Sequence, residues 1–223
     1  MKLSIGHKLF AASLVFVIDM GAFVIGAWGS LEHLRKLQDN GMGLVRIASA
    51  SETLASQGAA LYQIIADGEI NHELDQTRTD WQPAKEKTER LFADLRGQLT
   101  DPADIVLLDD AKTKYLAYVG VFEQKMLPAL DANTEMTPEI RALDGEVDDA
   151  CTEMVAPLSK LASQARKEAV AADDEFDKLS GQVLAIGTII GLLALLVGST
   201  INFLVVRHIS SPLKTLASLL HKL

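Results

Sequence analysis

Residues 183–216 read VLAIGTIIGLLALLVGSTINFLVVRHISSPLKTL. From Val183 to Val206 there is no charged side chain, and the run is long enough to cross a bilayer as one helix. It ends abruptly at Arg207, where a polar segment begins. A second apolar run, Leu9 to Trp28, lies near the N-terminus and carries one acid, Asp19. These two runs divide the chain into cytoplasmic residues 1–8, a first transmembrane helix 9–29, a middle segment 30–182, a second transmembrane helix 183–206 and a short tail 207–223.

Charge gives the orientation. All acids except Asp19 lie between Glu32 and Asp177, whereas the ends carry Lys2, Lys8, Arg207, Lys214 and Lys222 with no acid among them. The positive-inside rule places both termini in the cytoplasm and the middle segment outside, as in a two-pass protein of a bacterial inner membrane with a periplasmic domain. A cleaved signal peptide is the competing reading of the first run, because Lys2 and Lys8 form an n-region and Ala27-Trp28-Gly29 loosely resembles a cleavage site. A signal h-region is usually shorter and rarely holds an acid at its centre. The net charge of -9 argues against nucleic acid as a partner, since phosphate binding needs a basic surface.

Asp19 is the polar residue within the first span. A carboxylate at mid-bilayer costs about 2.5–3.5 kcal/mol on insertion scales, so it is expected to face protein, protonated or paired. Ala22, Gly26 and Ser30 follow on its face, and such small residues let helices approach closely. One expectation is that Asp19 meets its twin across a dimer seam; the other is that water or a backbone carbonyl holds it. The second span carries a comparable spacing at Gly187 and Gly191.

Between residues 32 and 182 no strand pattern occurs. Apolar residues recur every three and four positions, which predicts amphipathic helices and an all-α fold. The first helix continues out of the membrane along Leu44, Ile47, Ser51, Leu54, Gly58, Leu61 and Ile65 and is expected to stop near Gly68. The second carries Ala84, Thr88, Leu91, Leu95 and Leu99. It starts either at Pro83, which suits a first helical turn, or from Asn71 with a kink.

The third helix opens with Asp101 as N-cap, Pro102 at the first position and Asp104 in the first turn. Its stripe is Ile105, Leu108, Tyr115, Val119, Phe122 and Met126. The fourth opens with Thr137 and Pro138, and its stripe runs from Ile140 through Leu143, Val147, Cys151, Met154, Leu158 and Leu161 to Val183, joining the second span without a break. Two transmembrane helices flanking an extracytoplasmic antiparallel four-helix bundle follow from this pattern. Helices of about 30–40 residues give rods roughly 45–60 Å tall. Pro157, inside the fourth, is expected to bend it or open a local gap.

Catalytic and metal motifs are missing from the sequence. There is no HExxH, GxSxG or P-loop, so no enzyme, cofactor or metal site is expected. His33 and His72 have no partner at ligand spacing and read as solvated helix residues. The single cysteine, Cys151, precludes an intrachain disulfide and reads as a small core residue. The acidic run Asp144, Glu146, Asp148, Asp149 and Glu153 reads as a solvated helix face rather than a cation site.

The tail then supplies the most specific motif. Arg207, Ile209, Pro212, Leu213 and Leu216 match the R-x-I-x-x-P-L-x-x-L opening of a HAMP domain, and the chain resembles that element directly after a membrane span. The pattern is physically coherent: Arg207 anchors the span at the head groups, Pro212 suits a helix start, and Leu213, Leu216, Leu220 and Leu223 form a coiled-coil stripe.

With the layout upstream, the whole chain resembles the four-helix-bundle sensors of methyl-accepting chemotaxis proteins. The resemblance implies a homodimer in the membrane that takes a small-molecule ligand, directly or through a periplasmic binding protein, and passes a small displacement of the fourth helix and second span to HAMP. A histidine kinase or diguanylate cyclase sensor shares this front end. A non-sensing membrane dimerisation protein is the alternative from another class.

Amino-acid-binding members of the family grip carboxylates with several arginines along the first helix. Between Lys36 and Arg78 this chain has only Arg46, so Arg46 is the candidate ligand anchor, with a surface arginine the plainer reading, and amino-acid specificity is not supported. The chain stops within the first HAMP helix, as expected of a fragment, a truncated gene product or a short protein acting through a partner.

Overall fold

The computed structural model describes the backbone of residues 5–220 and, between Phe10 and Phe203, the side chains of all but Ala11, Ala12 and Val15. Among these residues every regular element is helical: α1 (Ile5–Asn71), α2 (Leu74–Gln98), α3 (Pro102–Val121), a π-turn (Phe122–Met126), α4 (Leu127–Ala132) and α5 (Pro138–Leu220). Both joints of the π-turn keep right-handed helical dihedrals, so α3, the π-turn and α4 form one rod and the described residues form four.

The helix ends have identifiable causes. α1 runs past Gly68 to Asn71, beyond its expected end, and closes where His72 adopts φ 54° and donates its backbone N–H to the Gly68 carbonyl at 3.1 Å. A left-handed residue just past a helix is a common stop. His72 is therefore a turn residue and not the solvated helix residue expected of it. α2 begins at Leu74, ahead of Pro83, which sits exposed inside the helix. α3 starts as expected: the Asp101 carboxylate accepts from the Ala103 N–H at 2.8 Å. At α5 the Thr137 hydroxyl accepts from the Ile140 N–H at 3.1 Å. α5 remains helical through Pro157, which is buried.

The chain divides into two compact units. The first, Gln38–Asp173, is a four-rod antiparallel bundle. Gly41 meets Ala172, Glu52 pairs with Arg166, Gly58 abuts Val155 and Cys151, and Tyr62 reaches Asp144, so α1 and α5 run in opposite senses. Trp81 lies on Phe122 and Phe92 on Tyr115, which sets α2 against the third rod in the same manner. Lys125 to Glu146, at 2.6 Å, links the third rod to α5. One continuous core draws on all four rods, with Leu54, Leu61, Ile65, Trp81, Phe92, Leu108, Tyr115, Phe122, Val147 and Met154 among its members. At about 25 cal/mol per Å² of apolar area, this burial is the main favourable term in the bundle.

Two glycines allow close approach. A Cβ on Gly58 would lie 2.9 Å from Val155 Cγ2, and one on Gly68 would lie 2.7 Å from Thr77 Oγ1. These positions bring α1 against α5 and against α2.

The second unit comprises residues 5–37 of α1 and 174–220 of α5. Many of its large apolar side chains are exposed, among them Phe10, Val17, Ile25 and Trp28 on α1 and Leu184, Leu192, Leu195 and Leu196 on α5. Among the described residues, α5 is the one helix long and apolar enough to cross a membrane, with a window of mean hydropathy 2.3 that is nowhere buried within the protein. Large apolar surface with no protein cover is what a helix in lipid presents.

Candidate functional site

The residues singled out from sequence fall in separate places. Arg46 is exposed on α1, in the bundle. Asp19 lies exposed on α1 in the second unit, with Ala22 and Gly26 also exposed and the Ser30 hydroxyl donating back to the Gly26 carbonyl at 3.0 Å. The side chains of Arg207, Ile209, Pro212, Leu213 and Leu216 lie outside the described residues, where the backbone continues as α5. His33 is exposed on α1.

The acidic run on α5 is mostly the solvated face expected of it: Glu146, Asp148, Asp149 and Glu153 are exposed, Glu146 pairing with Lys125, and the half-buried Asp144 accepts from the Tyr62 hydroxyl at 3.2 Å. Among the described residues no three His, Cys, Asp or Glu side chains converge closely enough to hold a metal ion.

A polar and aromatic layer surrounds the π-turn. Trp81 packs on Phe122 with ring centroids 4.4 Å apart and meets Tyr118 edge-on at 6.5 Å. Its indole N–H donates to Glu123 Oε1 at 2.8 Å, and Lys85 Nζ reaches the same oxygen at 2.8 Å. Burial would raise the Glu123 carboxyl, but the hydrogen bonds from Lys85 and Trp81 outweigh it and hold the group below the usual carboxylate range. The π-turn is therefore pinned from α2 by two donors on one carboxylate. π-Turns are frequent where a helix has a task besides packing.

On the α1–α5 side of this layer sits a group with no base in it. Tyr118 is fully buried and its hydroxyl has no hydrogen-bond partner. The ionisable groups that face it are Cys151, Tyr62 and Asp148, and burial first of all, then these neighbours, pushes its hydroxyl far up. Burial and the carboxylates of Asp144, Asp148 and Glu69 push Tyr62 up to about 12. Glu69 itself is raised by burial and by Asp144. Cys151 is half-buried against Gly58, and burial followed by Asp148 raises its thiol. The expectation of a core cysteine thus holds only in part, because its sulfur borders this polar group.

Neither the family models, the curated proteins nor the solved structures give a match to this chain. The functional reading therefore rests on the residues themselves. Chemically, the carboxylates of Asp144, Asp148 and Glu69 lie beside Tyr62, and the buried Tyr118 hydroxyl can both donate and accept.

Sequence reasoning passed over Tyr62, Tyr118, Trp81, Lys85 and Glu123. Their one signal is scarcity. Aromatics make up only 5% of the chain, yet Tyr115, Tyr118 and Phe122 fall at helical spacing in one short stretch.

Proposed function

We propose that this chain is the sensing and membrane-crossing front end of a two-pass chemoreceptor of the methyl-accepting type in a bacterial inner membrane, with residues 30–182 in the periplasm and both termini in the cytoplasm. The observation that supports it is α5. This helix lines the bundle core at Ile140, Val147, Met154 and Leu161, then carries the long apolar run, and its backbone stays helical into the HAMP-like stretch. A helix packed at one end and lipid-facing at the other can transmit a small axial or rotational shift as a rigid element. The Leu9–Trp28 run supplies the partner span, and a homodimer places two α5 helices side by side at the HAMP entrance.

The test has two arms. Single cysteines introduced at Asp110 and at His208, in a Cys151→Ser background, are labelled in intact cells by a membrane-impermeant reagent. Labelling at residue 110 alone is expected; labelling at both positions, or at 208 alone, overturns the topology. Residues 1–206 are then fused to the HAMP and signalling region of a characterised chemoreceptor. Kinase output that shifts on exposure to some member of a chemical panel is expected. A fusion that assembles and activates its kinase, yet is indifferent to every stimulus, overturns the sensing role.

A further inference from the structure

The outward side of α1 in the bundle differs from that of the other rods. Met42, Val45, Ser49, Thr53, Ser56 and Ala60 recur at three- and four-residue spacing, and all six are exposed and uncharged. From Ile47 to Ala66 the one charged residue is Glu52, and Arg166 of α5 takes up its carboxylate. The other rods expose charge along their lengths: Lys87 and Glu89 on α2, Asp109 and Lys112 on α3, Asp149 and Lys167 on α5.

The polar groups on this side of α1 bring their own hydrogen bonds. The Thr53 hydroxyl donates to the Ser49 carbonyl at 2.8 Å, and the Ser56 hydroxyl to the Thr53 carbonyl at 2.6 Å. Covering them therefore strands neither donor.

We infer that this face of α1, from Met42 to Ala60, is where a second copy of the chain packs in parallel about a two-fold axis, each residue opposite its own copy.

Charge selects the occupant. Copies inserted in one membrane share one orientation, so their α1 helices run the same way. In a parallel two-fold pair the same patch serves both copies, and a residue on the seam meets itself. A charge there would face an identical charge, which is destabilising. A different protein imposes no such condition, since it can oppose each charge with its opposite. The uncharged stripe answers the first case, and α1 is the rod that carries it. Small side chains at Ser49, Ser56 and Ala60 let two helix axes approach to about 8 Å. Met42 and Val45, 50% and 57% exposed, add apolar area to cover. Gln63 continues the stripe, and exposed Asp67 ends it toward the α1–α2 turn. Anchoring in one bilayer removes part of the freedom that two soluble chains lose on association, so a single helix pair suffices. The inference rests on the receptor reading only in that both copies lie in one membrane with one orientation.

The experiment uses the full chain in cell membranes, in a Cys151→Ser background. Single cysteines replace Ser49 or Ser56 on the seam, and Lys87 or Lys112 on other rods. Mild oxidation is expected to link Ser49→Cys and Ser56→Cys chains into dimers at least about tenfold faster than Lys87→Cys or Lys112→Cys chains, because only the seam brings paired Cα atoms within disulfide reach. Association is then read by co-purifying two differently tagged chains. Ser56→Glu should weaken it at least about tenfold, and mixing Ser56→Glu with Ser56→Lys chains should restore it, since unlike charges then meet. Helical circular dichroism checks that each variant is folded.

Equal cross-linking at all four positions, no dimer from Ser49→Cys and Ser56→Cys, or unchanged association in Ser56→Glu overturns the inference. Cross-linking of Ser49→Cys to a different protein in place of a second copy overturns it too. Seam cross-links as expected, with labelling that contradicts the two-pass topology, would overturn the receptor reading alone. The expected topology and a responsive fusion without seam cross-links would overturn the seam alone.

Discussion

Gly58 of α1 stands so close to Val155 of α5 that an added Cβ would lie 2.9 Å from Val155 Cγ2 and 3.1 Å from Cys151 Sγ. Valine is β-branched and stiff about χ1, so it cannot swing aside. Gly58→Ala is therefore expected to lower the unfolding midpoint, an overpacking cost of about 1–3 kcal/mol exceeding the roughly 1 kcal/mol that alanine gains in a helix. Gly145, on the same bundle and with open space around its Cα, should behave oppositely, Gly145→Ala raising stability by about 0.5–1 kcal/mol. Adding Val155→Ala to Gly58→Ala should recover part of the loss. Urea denaturation of the three variants measures the signs.

Glu123 couples the π-turn to α2. Its carboxyl is held below the usual range in the folded state, so its contribution to stability is present above the unfolded-state value and is lost as pH falls through the lower folded-state value. Stability followed from pH 6 down to acid should lose a component that Glu123→Gln lacks. Glu123→Ala should cost about 1–3 kcal/mol at neutral pH, because the Trp81 indole and the Lys85 ammonium lose their acceptor.

Tyr115 and Tyr118 sit three residues apart, both fully buried, and differ in one bond. The Tyr115 hydroxyl donates to the Lys85 carbonyl at 3.3 Å, whereas that of Tyr118 has no partner. Tyr115→Phe should therefore destabilise by about 1 kcal/mol, and Tyr118→Phe should be neutral or stabilising in the ligand-free chain. Equal losses in the two variants would contradict the assignment.

All three tyrosines of the chain, Tyr62, Tyr115 and Tyr118, are shifted upward, chiefly by burial. A group raised in the folded state contributes stability that is complete below its unfolded value, about 10 for tyrosine, and is lost as pH rises through the folded value. Absorbance at the phenolate band should stay flat near pH 10 while helicity persists, the first phenolate appearing at about 12 for Tyr62. A normal phenolate step near pH 10 in the folded chain would contradict it.

Asp101 and Thr137 each cap a helix through one side-chain oxygen. Asp101→Ala and Thr137→Ala are each expected to cost about 0.5–2 kcal/mol, and their effects should add because the two helix starts are independent. Paired thermal melts check both statements.

Periodicity and capping chemistry made the rods legible. Leu54, Leu61, Ile65, Leu108, Phe122, Ile140, Val147 and Met154 were all placed on core stripes by spacing alone, and all are buried. Asp101-Pro102 and Thr137-Pro138 marked helix starts that the structure keeps. These signals are local, since a helix closes its hydrogen bonds within the chain and declares its buried face every three or four residues.

Other features depended on residues distant in sequence. The π-turn at Phe122–Met126, the left-handed stop at His72 and the passage of α2 through Pro83 carry no spacing signal of their own in the sequence. The meeting of Tyr62 with Asp144, 82 residues further on, and the buried, unpartnered hydroxyl of Tyr118 arise only once α1, α3 and α5 pack. The sequence by itself determined helices, stripes, caps and the apolar runs, because those follow from each residue's own chemistry and its near neighbours. Only the tertiary structure decided which polar groups lose water together, because desolvation belongs to the packed interior and not to any one helix.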